Sequence, residues 1–250
     1  MRQAWSDILS SLDAHFPEYS DTGFNVTYED DGEVFFSNEF FLGHTCGYPY
    51  ITKLHETHEL VCVPEFDIEG AQDGFYRSWF ITRADHPATD LGQFRNSKAI
   101  INNWDSNSGM NVLRYAVAPL LCGDSFFDEI LVSSSHLNSL EMVVEGLADI
   151  AAIDAVTYHF AHTQGLFNPS EIKIIGQSEM TRGLPFVASR NKAIDSDRLI
   201  NALNQCLDSA EPEFREFLKI KRFSSVSHGD YLPIAQLEKT AQELNYPVLK

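Results

Sequence analysis

Trp5, Ile8, Leu9 and Leu12 recur at helical spacing and predict a helix over residues 4–15. Residues 18–38 are turn-rich and acidic. Glu39-Phe40-Phe41-Leu42-Gly43 predicts a short buried strand, and Pro49 suits the first turn of a helix. Strands are predicted over 60–66 and 75–82. Arg83-Ala84-Asp85-His86-Pro87 breaks the pattern, and Leu91 and Phe94 mark a short helix. A strand over 98–102 then leads into a loop at 105–109 and a helix over 110–121. Further strands are predicted at 130–132, 150–153, 172–175 and 186–188. Helices are predicted at 137–146, with a stop glycine, and at 156–162. Three more close the chain around 195–208, 211–218 and 231–244.

Strands alternating with helices predict an α/β architecture with largely parallel sheets. The stretch 87–189 carries its own strand–helix series. It predicts an inner lobe set into a discontinuous outer lobe of residues 1–86 and 190–250. The crossings fall near Asp85–Pro87 and Ser189–Asn191. In such folds ligands bind beyond the carboxyl ends of strands, here in the cleft between lobes.

Charge changes the picture. The 250 residues include 36 acidic and 18 basic side chains, a net charge of −18. Nucleic acid and anionic membrane surfaces both need a basic face, so both are excluded as partners. Small anions are repelled at long range, so an anion site must be local, built from oriented amides and a few side chains. No run approaches the roughly 18 apolar residues of a membrane span, so no membrane insertion is expected. Met1-Arg2-Gln3-Ala4-Trp5-Ser6-Asp7 lacks a signal-peptide pattern, which predicts an unexported chain. The sequon Asn25-Val26-Thr27 then carries no meaning. Cys46, Cys62, Cys122 and Cys206 show no CxxC spacing and are expected as buried small apolar residues, with a disulfide left open. No cofactor or metal motif is present, and none is expected.

Three segments carry candidate chemistry. In Asn102-Asn103-Trp104-Asp105-Ser106-Asn107-Ser108-Gly109-Met110 a buried strand enters a Ser/Asn/Gly turn and then a helix. Free amides at the helix start, close approach at Gly109 and the hydroxyls of Ser106 and Ser108 suit an anion. In Ser133-Ser134-Ser135-His136, His136 falls at the next helix start as a neutral donor. In Ile150-Ala151-Ala152-Ile153-Asp154, Asp154 ends an apolar strand, where it can meet an amine or a protonated oxyanion; Tyr158 follows on the same helical face. The outer part offers Thr45-Cys46-Gly47-Tyr48-Pro49 and Tyr76-Arg77-Ser78. Each segment also reads as ordinary helix capping or packing, and local sequence leaves that open.

The spacing of LGHTCGYPY, YRSWFITRADHP, INNWDSNSGMNVLR, SSSHLNSLEMVVEGLADIAAIDAVTYH and LPFV resembles the phosphate/phosphite/phosphonate-type substrate-binding proteins of ABC importers. The resemblance covers roughly residues 39–190. It implies a two-lobed type 2 periplasmic-binding fold, each lobe a mixed sheet flanked by helices, capturing a small anionic or zwitterionic ligand by lobe closure. Carried over, Ser106, Ser108, Gly109 and Met110 match the anion-binding helix start, and His136 the histidine after it. Asp154 matches the acidic residue that faces the amine in aminophosphonate binders. Tyr48 and Tyr76 match outer-lobe contacts; Ser78 accompanies Tyr76. The resemblance implies a periplasmic setting and an ABC permease as partner. Two departures stand: the family opens with a strand before the first helix, and it carries an export signal.

Two other functions fit the sequence. An enzyme on the same fold, acting on a phosphorylated or pyrimidine-like metabolite, would use Ser106 or Ser108 with His136 and Asp154, or Cys46 as nucleophile. No GxSxG elbow, HExxH or P-loop supports it. A sensor domain is the other alternative.

Overall fold

The computed structural model describes residues 2–19, 24, 26–28, 40–192 and 194–250. Asn25 of the sequon, the start of the strand expected at Glu39 and much of the acidic stretch before it lie outside the described residues. The elements are α1 (Arg2–Ser10), β1 (Gly43–His44), α2 (Gly47–Pro49), β2 (His58–Phe66), β3 (Ala71–Gln72), β4 (Phe75–Tyr76), β5 (Ser78–Arg83) and β6 (Lys98–Ile101). There follow α3 (Val112–Val117), β7 (Glu129–Val132), α4 (His136–Val144), β8 (Ile150–Asp154), α5 (Ala155–Thr163), β9 (Ile172–Gln177), β10 (Thr181–Arg182) and β11 (Phe186–Ser189). The chain closes with α6 (Ser196–Ser209), α7 (Pro212–Leu218), β12 (Ile220–Ser225) and α8 (Leu232–Glu243).

Two larger sheets organise these elements. One has the order β1-β11-β2-β12 and the other β7-β6-β8-β5-β9. In the five-stranded sheet, period-2 alternation sends side chains to two separate cores. Phe80, Ala99, Ile101, Ile150 and Ala152 join α3 and α8 on one face. Trp79, Ile81, Ile100, Ala151 and Ile153 join Leu140 and Val143 of α4 on the other. Both faces are covered, which is why β8 reads as an unbroken apolar run. Val61, Phe186, Ala188 and Phe223 of the four-stranded sheet pack under α1 and α6, through Ala4, Ile8, Leu199 and Leu203. Ile8 and Leu199 are fully buried, each worth about 1.5–3 kcal/mol over exposure.

Several expectations need correction. Among the described residues, parallel pairing is confined to β6 with β7 and β8, and every other strand pair is antiparallel. β12 lies in a stretch where no strand was expected. Its sequence Ile220-Lys221-Arg222-Phe223-Ser224-Ser225 buries only Ile220 and Phe223, so its apolar signal is thin. The first strand is displaced to Gly43–His44, because His44 and not Phe41 finds a ladder partner, in Phe186. The strand expected over 75–82 is interrupted at Arg77 and serves two sheets.

That interruption moves the division of the chain. β5 belongs with β8 and β9 and β11 with β2, so the segment expected at 87–189 starts and ends too late. Nor does all of 190–250 stay with the four-stranded sheet. Ile234, Leu237 and Ala241 of α8 share a core with Leu113 and Val117 of α3, Arg114 donates to the Pro247 carbonyl, and Phe126 N–H bonds Lys250 O. The chain crosses from one large sheet to the other through β4 and back through β10. These two short strands pair directly, Tyr76 opposite Thr181.

Candidate functional site

The site forms where β6, β7 and β8 end side by side. After β6, Ser106 takes an extended backbone and its Oγ accepts the Gly109 N–H at 2.9 Å. The first turn is wide: Asn111 N–H reaches Ser106 O at 3.0 Å, and residues 107–111 are all buried. Glycine at 109 is required by space. A Cβ there would lie 1.9 Å from Asn102 Oδ1 and 3.3 Å from Asn102 N.

After β7 each of four residues has a separate task. Buried Ser133 bonds Ser139 Oγ at 2.6 Å and the Ser135 carbonyl at 2.8 Å. Ser134 adopts a left-handed φ of 70°, rare for a non-glycine residue, which turns the chain sharply. Ser135 caps α4 by accepting the Asn138 N–H. His136 is thereby set as the first helical residue, and Nε2 lies 2.7 Å from Ser108 Oγ. At the end of β8, Asp154 divides its carboxylate. Oδ1 accepts the Thr157 N–H at 2.8 Å and so starts α5, while Oδ2 lies 3.5 Å from His136 Nε2.

The electrostatics follow from burial. Desolvation lowers the proton affinity of His136, offset in part by the Asp154 carboxylate and the Ala152 carbonyl. The ring is therefore neutral near pH 7, and its Nδ1 makes no well-formed hydrogen bond among the described residues. Burial pushes the Tyr76 phenol well above its ordinary value, and the Cys46 thiol likewise up. Both stay protonated, and each accepts from Asn107: Tyr76 Oη from Nδ2 and Cys46 Sγ from the N–H. Among the described residues, no Lys or Arg bonds to Ser106, Ser108, His136, Asp154 or Tyr76.

Of the residues singled out in the sequence, Ser106, Ser108, Gly109, His136 and Asp154 converge, and Tyr76 reaches them through Asn107. Ser78 is buried directly opposite Asp154 in the ladder, with its N–H held by Ser178 Oγ. Met110 buries its side chain in the core. Tyr48 and Tyr158 go elsewhere. The Tyr48 hydroxyl donates to Glu238 of α8, because α2 packs against that helix. The Tyr158 ring packs on Phe167 and His162. The Gly109 amide, expected to face a ligand, is spent on Ser106. The sequence reading overlooked Asn107 and Thr181, whose side chains meet at 3.0 Å. Asn107 stood in the motif, but Thr181 carries no local signal. Of the cysteines, Cys62 and Cys206 are buried and Cys46 is partly so, while Cys122 is exposed in a surface loop; all four are free.

The architecture is shared with solved structures. The binding-protein component of an ABC phosphonate transporter from Pseudomonas aeruginosa (PA3383) superposes with a TM-score of 0.75 at 18% identity, covering 98% of this chain and 84% of that one. PhnD1 from Prochlorococcus marinus, solved with methylphosphonate, gives 0.72 at 13% identity over 97% and 95%. XAC2383 from Xanthomonas citri, solved with ATP, gives 0.69 at 16% identity over 97% and 95%. The fold is that of the periplasmic binding proteins. The family described as the periplasmic substrate-binding protein of phosphonate ABC transporters matches residues 1–231, and this chain belongs to that family. No curated protein matches the chain. The family is one of solute-binding proteins, and the enzyme alternative finds no support. No described helix is long and apolar enough to cross a membrane.

Proposed function

We propose that the chain captures a small phosphate-, phosphite- or phosphonate-like oxyanion between its two sheet-bearing halves and delivers it to an ABC permease in the periplasm. The observation that carries this reading is the contact of Ser108 and Asp154 with one buried histidine, at 2.7 and 3.5 Å from Nε2. Hydroxyls and a neutral imidazole grip anion oxygens without a formal positive charge. The dry surroundings strengthen each such bond.

Asp154 narrows the choice. A carboxylate beside a bound anion is costly unless it receives a proton donor. The ligand therefore carries a protonated oxygen or an amine. Tyr76, entering from the crossing strands, faces the same space. Tyr48 and Tyr158 are assigned to packing.

The test is a thermal-shift screen with phosphate, phosphite, methylphosphonate and 2-aminoethylphosphonate, followed by calorimetry. A ligand at 100 times its Kd stabilises by about 2.7 kcal/mol, or roughly 5–10 °C for a chain of this size. Ser108→Ala and Asp154→Ala should each weaken the best ligand at least tenfold. If Asp154→Ala binds every candidate unchanged, the role given to Asp154 is wrong. If none of the four shifts the wild type, the oxyanion reading is wrong.

A further inference from the structure

Asn107 is fully buried, and every polar group it owns is committed. Its N–H points at Cys46 Sγ, 3.4 Å away. Its carbonyl accepts the Val112 N–H. Its Oδ1 accepts Asn111 Nδ2 at 3.0 Å. Its Nδ2 donates to Thr181 Oγ1 at 3.0 Å and lies 3.4 Å from the Tyr76 hydroxyl. Tyr76 and Thr181 face each other in β4 and β10, the strands that carry the chain between the two large sheets. The residues on either side of Asn107 are Ser106 and Ser108, and Ser108 holds His136.

One amide thus joins the ligand-side turn to both connecting strands. We propose that Asn107 is a positioning residue that couples the angle between the two halves to the placement of Ser106 and Ser108; this rests on the capture function proposed above. Rotation of the β4–β10 pair against the turn leaves Asn107 two outcomes. It drags Ser108 along, or it strands a buried amide, at a loss of about tenfold per neutral hydrogen bond. The turn cannot absorb the motion locally. Asn111 also donates to the Ile234 carbonyl, and its Oδ1 takes Arg114 Nη2, so the far side of Asn107 is anchored to α8.

Cys46 supplies a reporter, because its sulfur faces the Asn107 N–H. Iodoacetamide labelling of each cysteine is followed by mass spectrometry in wild type, Asn107→Ala and Thr181→Val, with and without methylphosphonate as probe. Without probe, both variants should label Cys46 about tenfold faster, while buried Cys62 and Cys206 stay slow. Saturating methylphosphonate, with occupancy fixed by calorimetry, should protect Cys46 in the wild type. In Asn107→Ala it should bind about tenfold more weakly and leave Cys46 unprotected even at saturation. Full protection in the saturated variant, or an unchanged rate without probe, overturns the coupling. So does acceleration of Cys62 and Cys206 in step with Cys46, which marks general loosening. Thr181→Val removes one hydroxyl from the junction and carries the test if Asn107→Ala does not fold. A wild type that gives no heat with methylphosphonate counts against the ligand proposed above, while the comparison without probe still decides the role of Asn107.

Discussion

Gly109→Ala is the most direct probe of the turn. The added methyl would sit 1.9 Å from Asn102 Oδ1 and 3.0 Å from its Cγ, roughly 1.5 Å short of a normal non-bonded separation at the oxygen. Rotation of the Asn102 side chain relieves the first contact. The Asn102 backbone nitrogen, 3.3 Å away, cannot rotate out. Overpacking of this kind costs about 1–3 kcal/mol. For a chain of this length that lowers the melting temperature by about 2–12 °C. The sign is informative. In open space, glycine to alanine would stabilise by about 0.4–1 kcal/mol, through the unfolded chain. Asn102→Ala removes the offending oxygen, which is buried without a partner among the described residues, so it should cost little alone. Combined with Gly109→Ala it should recover at least half the loss. Urea and thermal unfolding of the two single variants and the pair give the coupling energy directly. A Gly109→Ala protein as stable as wild type, or a double variant no better than the single, refutes the reasoning.

Two further outcomes are expected. Arg114 is 4% exposed and serves Asn111 Oδ1 at 2.7 Å, the Pro247 carbonyl at 2.8 Å and Glu238 at 3.5 Å. Arg114→Ala should therefore lose about 2–4 kcal/mol in urea unfolding, and a loss below about 1 kcal/mol would mean that these contacts are not made. His136 binds a proton less readily in the folded state than its ordinary value of 6.5 allows, chiefly through burial. Its contribution is complete above pH 6.5 and is lost as pH falls below it, because the unfolded chain then holds the extra proton. His136→Gln should flatten the stability profile below pH 6.5, and NMR titration of the ring should give a midpoint under 6.5; a midpoint above it contradicts the burial argument.

Much of the molecule was legible in the residue pattern. Helical spacing in α1, the apolar runs of β6 and β8 and the stop glycine Gly146, which takes a φ of 74°, depend on local periodicity and backbone preference. Serines, a histidine and an aspartate at the ends of adjacent strands marked Ser106, Ser108, His136 and Asp154, because strand ends and helix starts leave polar groups free. Partners far away in sequence were not legible. Tyr48 turns to Glu238, 190 residues on, and Asn107 finds Thr181 across 74 residues. β12 was missed because half its side chains face water. β5 was assigned to the wrong sheet because a strand's own residues do not name its neighbour.

Sequence alone thus determined most of the segments that become helix or strand, though not β12 or the place of β1, and which side chains stand at their ends, since both follow from forces acting within a few residues. Tertiary structure decided which strands pair, how the chain crosses between the sheets, and which candidates meet around one buried imidazole. Those outcomes depend on burial and register summed over the whole chain, and a pairing such as Tyr76 with Thr181 exists only once both sheets have formed.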